Sequence, residues 1–299
     1  MPFHLLFPLL SSILFVLGMM LVKRGIDKGA SPWSGTFLAN LWLALVWVVI
    51  AVVRGRIVPM DAWPDALLIG LLFVLGQVFT YLAFQFGDVS VATPIFGIKV
   101  LLVAALVSLS SGEVLPVRIW IAGALATSGV ILIQWSGRAA GPPTSSSTAR
   151  RWLTIILALS AATSLTLFDV AMQDRVSGKW NSHDFLPVVF GAAGLMSFAF
   201  LPWTDRLIRL RQLGASRWIL AGTVLMAMQA MSMTYSLATF GDATRINIVY
   251  SLRGLWGVAL AWLLGRSLGT AEGSLGRNVM LRRLAGALLL TAAVMIAIG

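Results

Sequence analysis

Tyr81 to Asp88 reads YLAFQFGD, and Tyr235 to Asp242 reads YSLATFGD. The offset is 154 residues, and without a gap it also carries Lys99 onto Arg253. Tyrosine, Phe-Gly-Asp and a basic residue therefore coincide along one alignment. Polar coincidences of this kind point to a duplicated chain.

Working outward, ten apolar segments flank these motifs: 3–22, 34–53, 65–86, 89–110, 117–136, 152–173, 184–201, 217–239, 244–265 and 281–298. Each is long enough to cross a bilayer, which takes roughly 20 residues at about 1.5 Å apiece. Gly87-Asp88 and Gly241-Asp242 leave room only for tight hairpins between neighbouring segments. The longest polar break, 137–151, contains Gly141-Pro142-Pro143 and Ser145-Ser146-Ser147 and reads as a linker. The expected organisation is a first repeat over 1–136, the linker 137–151 and a second repeat over 152–299. Five helices is an odd number, so the second copy must lie upside down relative to the first. The fold class is thus an all-α integral membrane protein, ten transmembrane helices arranged as two inverted five-helix repeats. Such repeats commonly build transporters with a site near the membrane midplane.

Composition agrees. Apolar residues make up 59% of the chain and charged ones 11%, against about 25% in soluble domains. The mean hydropathy is +0.90. The net charge of +11 comes from basic residues scattered between apolar runs, the pattern of a positive-inside bias rather than of a nucleic-acid surface. Leu5–Val22 is followed, not preceded, by basic residues and reads as a retained first helix. There is no cysteine, and His4 and His183 have no second histidine at ligand spacing. HExxH, GxSxG and GxxxxGK[ST] are absent. No metal, cofactor or enzymatic activity is expected.

Lys99 and Arg253 each fall about halfway along a segment. A cation there costs about 2.5–3.5 kcal/mol on insertion scales and must face protein or a watery cavity. One such cation is ordinarily a buried ion pair. Two at matching repeat positions, with only Asp169 clearly inside a span, leave one positive charge for a ligand. Arginine grips carboxylate or phosphate in a fork and lysine acts as a point charge. The expected partner is a small anionic or zwitterionic metabolite, with Asp169 as counter-charge or coupling group. Asn247 and Tyr250 lie within two turns of Arg253 and are candidate site wall. Trp256, one turn after Arg253, is a candidate substrate-binding residue that would stack on the guanidinium or on a substrate ring, with plain packing as the alternative. Pro94 is placed to kink the fourth segment. Asn40, Gln77, Gln229, Tyr81 and Tyr235 read as contacts between helices.

The ten helices, the duplication and the stretch from Val91-Ala92-Thr93-Pro94 to Ser111-Gly112-Glu113 resemble the drug/metabolite transporter superfamily in its EamA-like form. The second half departs from that pattern, with Ile248 where Pro94 would repeat. Lys99, within Gly97-Ile98-Lys99-Val100-Leu101, is similar to the fourth-helix lysine of nucleotide-sugar transporters, a related branch that exchanges phosphate-bearing substrates. The resemblance implies cytoplasmic termini. The charge rule points the other way, because loops after odd-numbered segments hold 14 Lys/Arg and those after even-numbered ones six.

The sequence therefore predicts a secondary carrier working by alternating access, driven by a gradient or by exchange, in the bacterial cytoplasmic (inner) membrane. Alternatives are a flippase for a lipid-linked phosphate, a membrane enzyme acting on lipid, and a non-transporting scaffold. A water-filled pocket touching Lys99 and Arg253 would favour transport. A closed pair against Asp169 would favour the scaffold.

Overall fold

The computed structural model describes residues 2–86, 92, 95–110, 112, 114–134, 145–268 and 277–299. Within them the chain is helical, with no strand. In chain order the α-helices are α1 Leu6–Ile26, α2 Pro32–Arg54, α3 Trp63–Phe86, α4 Lys99–Ser110, α5 Val117–Gln134 and α6 Ser145–Arg175. They continue with α7 Ser182–Ser197, the short α8 Leu207–Gln212, α9 Ser216–Phe240, α10 Ala243–Tyr250, α11 Arg253–Leu268 and α12 Arg277–Ile298. Among the described residues, six stretches are long and apolar enough to cross a membrane: Phe3–Ile26, Pro32–Arg54, Met60–Ala83, Ala149–Arg175, Ser182–Trp203 and Leu281–Ile298. Ile95–Ser110 and Val117–Ile133 are shorter apolar helices.

Two expectations shift. The serines and arginines from Ser145 to Arg151, read as linker, form the first turns of α6. Nothing between them breaks a helix, so a polar extension continues the apolar span. The ninth segment is not one helix but two, α10 and α11, parted at Ser251-Leu252. In the fourth segment a single turn residue, Ile98, separates helical Ile95–Gly97 from α4. Lys99 and Arg253 are thus each the first residue after an interruption. Pro94 and the Gly87-Asp88 hairpin lie outside the described residues. The Gly241-Asp242 hairpin is as tight as expected: both residues have positive φ, 66° and 54°. Asp242 tolerates that region because its side chain bonds locally, here accepting from the Arg245 backbone N–H.

Both termini lie on one face. His4 reaches Asp242 at the α9–α10 turn, and Arg118 at the start of α5 donates to the carbonyl of Gly299. Arg54 pairs with Asp184, and Arg175 with Asp65, on the same face. On the opposite face Ser31 bonds to Trp203 and Asp205, joining the α1–α2 turn to the segment after α7.

The helix pairings come in matched sets. α1 packs on α9 as α3 packs on α6, and α2 on α9 as α7 on α3. The pairs α2–α7, α5–α12 and α4–α10 are their own counterparts when the halves are exchanged. Small residues permit the closest approaches. A Cβ on Gly286 of α12 would stand 2.6 Å from the carbonyl oxygen of Gly129 on α5. One on Gly222 of α9 would stand 2.9 Å from that of Gly18 on α1.

Several polar side chains in the interior are paired with one another. The Asn40 and Gln77 amides exchange two hydrogen bonds, of 2.7 and 3.0 Å, between α2 and α3. Asn40 also donates to Ser197 on α7. Gln229 on α9 donates to the Ser11 hydroxyl of α1. Truncating Asn40 to alanine strands the Gln77 amide, an expected loss of about 1–2 kcal/mol. The measurement is the unfolding midpoint in mixed detergent against wild type.

Candidate functional site

Lys99 Nζ lies 2.7 Å from Asp169 Oδ2, and the Asp169 side chain is only 3% exposed. Asn247 Nδ2 donates to the same carboxylate oxygen at 2.8 Å, and also to the carbonyl of Ala243 one turn back on α10. One carboxylate therefore ties α4, α6 and α10 together. Its depth is set by α6, whose last turn and a half separates Asp169 from Arg175.

Arg253 is held differently. Its guanidinium carbon lies 4.7 Å from the Tyr250 ring centre and 5.1 Å from that of Phe15 on α1. These rings meet edge to face at 6.0 Å. Such contacts stabilise a cation through the ring quadrupole without neutralising it. No carboxylate among the described residues stands within ion-pair distance of Arg253.

Between the two cations is a closed cleft of about 10 Å³, room for about one water. Phe96, Gly97 and Lys99 line one side, and Tyr250, Ser251 and Arg253 the other, with Asn247 at its edge. Each of the first three is the 154-residue counterpart of one of the second three. The cleft therefore sits where the two halves face each other at their interruptions.

Toward the face that carries the termini lies a much larger vestibule of about 930 Å³. Ser110, Gln173, Asp174, Lys179, Thr244 and Arg245 are among its walls. Gln173 follows Asp169 by one turn, and its side-chain amide oxygen accepts from the Ala243 backbone N–H, which holds the start of α10. Thr244 precedes Asn247 by nearly one turn. Asp169 thus stands between the vestibule and the cleft.

Of the residues singled out in the sequence, Lys99, Arg253, Asn247 and Tyr250 are brought to one cleft, and Asp169 contacts it through Lys99 and Asn247. Trp256 is not part of it. It packs with the cluster containing Ile119, Val130 and Leu290 between α5 and α12, and its indole nitrogen is buried without a partner. One turn of helix carries it past Arg253 rather than over it. Phe15 was not anticipated. The signal was present, since adding 154 to 15 gives Asp169, so the ring occupies the repeat position of the carboxylate. No group of three or more potential metal-ligating side chains occurs among the described residues.

A helical membrane bundle with a charged centre beneath an open vestibule has the build of a membrane transporter. Residues 2–135, a little under half of the chain, match the model of the EamA-like transporter family. No curated protein matches the chain. A solved structure titled only as the crystal structure of a protein superimposes with a TM-score of 0.69, covering 98% of this chain and 96% of the other. Its sequence identity is 17%, so the likeness is one of fold.

Proposed function

We propose that this protein is a secondary carrier for a small anionic or zwitterionic metabolite, moved by alternating access between two inverted repeats. The matched helix pairings and the repeat-related walls of the cleft support the two-repeat reading. The observation that carries the substrate class is Arg253, a cation at membrane depth set against aromatic faces, with no carboxylate among the described residues within ion-pair distance. An anionic group entering from the vestibule would complete it. Lys99 is shared between that group and Asp169, which acts as counter-charge when the site is empty. The chain contains no nucleotide-binding motif, so the energy source in this reading is a gradient or exchange. The location in this reading is the bacterial cytoplasmic (inner) membrane.

The closed Lys99–Asp169 pair favours a second reading, a non-transporting scaffold in which the pair serves only to hold α4 to α6. The two readings separate in reconstituted vesicles. Under the carrier reading, small carboxylates or phosphates stabilise the purified protein against heat and cross loaded vesicles in a saturable way. Arg253→Gln is expected to weaken that response about thirtyfold or more, because a buried charge pair loses one partner. Absence of any anion response in wild type, or an equal response in the variant, would leave the scaffold.

A further inference from the structure

Positions 15 and 169 are repeat counterparts, as are 99 and 253. The structure places each helix-break cation against the counterpart residue of the other half: Lys99 against Asp169 on α6, and Arg253 against Phe15 on α1. The framework is symmetric and the chemistry is not. One cation carries its own carboxylate; the other carries a ring in the same place. From this juxtaposition we infer that the site selects its substrate by valence, taking a ligand with one negative charge, and that Phe15 is the residue that sets this number. The inference rests on the carrier reading above and deepens it.

The charge count gives the reason. Among the described residues, Lys99, Arg253 and Asp169 leave the empty centre with one uncompensated positive charge. A monoanion on Arg253 brings the centre to neutrality, with the Lys99–Asp169 contact intact. A dianion would leave one negative charge buried, or would have to pull Lys99 off Asp169 and strand the carboxylate. Either outcome is costly at low dielectric. A carboxylate at position 15 would close the second pair as Asp169 closes the first, leaving no vacancy for an anion. Neutralising Asp169 would do the reverse and free both cations.

The choice of Phe15 also accounts for a second feature. Phe15 and Tyr250 flank the guanidinium without drawing its charge away, so Arg253 is held in place yet remains electrically open. Lys99 has no need of such support, since the Asp169 contact at 2.7 Å and the Asn247 donor hold that side.

The experiment is thermal stabilisation of the purified protein by matched probes at neutral pH: glutarate, its monomethyl ester and its dimethyl ester, with nitrate and sulfate as an inorganic pair. Wild type is expected to respond to the monovalent member of each pair and not to the dimethyl ester. Phe15→Asp should reduce the monovalent response about thirtyfold or more relative to Phe15→Asn, which is similar in size to aspartate but uncharged and so measures the loss of the ring alone. Asp169→Asn should move the preference to glutarate and sulfate. A wild type that answers mono- and divalent probes alike overturns the inference and spares the carrier reading. So does a Phe15→Asp variant that keeps its monovalent response. A wild type stabilised by none of the anions overturns both.

Discussion

Asp169→Ala is expected to cost about 3–5 kcal/mol of stability, because removing one partner of a buried ion pair leaves the other uncompensated. Here the stranded group is Lys99, whose side chain is 14% exposed and has only a cleft of about 10 Å³ beside it. That space has room for about one water to solvate the ammonium. Asn247 also loses its carboxylate acceptor, though it keeps the carbonyl of Ala243. The cost falls on the junction of α4, α6 and α10, so the cleft should loosen before the outer bundle does. The double variant Lys99→Met with Asp169→Leu removes both charges, and most of the loss should return. Unfolding titrations in mixed micelles measure all three proteins. A double variant no more stable than Asp169→Ala would assign the cost to packing instead of charge.

The second large effect is steric. In Gly286→Val the new Cβ would meet the Gly129 carbonyl oxygen at 2.6 Å and Ile133 of α5 at 2.7 Å, with the Ile133 backbone nitrogen at 3.1 Å. Two of these are backbone atoms and cannot swing aside. α5 and α12 must separate along a contact that runs much of their length, and the cost is expected near 3 kcal/mol. In a bilayer that contact has little hydrophobic drive, so close packing at small residues supplies what attraction there is. Gly257→Ala is the control. A Cβ there meets nothing within 4 Å, and the change should stay within about 0.5 kcal/mol. Equal losses in both variants would mean that helix flexibility, not contact at Gly129, decides the matter.

How far these features were legible in the sequence depends on the kind of residue. Lys99 and Arg253 stood out because charge is rare in apolar segments, and their spacing matched the YLAFQFGD and YSLATFGD motifs. Asp169 stood out for the same reason. Phe15 did not, since one phenylalanine among fifteen in an apolar chain carries no signal until the repeat offset is applied to an acidic residue. The interruption at Ser251-Leu252 was also hidden. Neither residue is a proline or glycine, the residues that ordinarily mark such a break. The ties on α10 are tertiary: it is held at its start by Asp242 and Gln173 and within its length by Asp169, while α11 packs on α1, α5 and α12. Trp256 failed for a related reason. A depth estimate says how far a residue lies along a helix and nothing about which way it faces. The start of α6 at Ser145 was missed because serine and proline composition marks where a loop is permitted, and the serines alone do not forbid a helix.

The vestibule has a pharmacological consequence. With about 930 Å³ open on the face that carries both termini and the cleft beneath it closed, a bulky, membrane-impermeant blocker has a seat on one side only. Added to sealed, oriented vesicles, such a compound should act from one side and be inert from the other. Its sidedness would report which compartment the termini occupy.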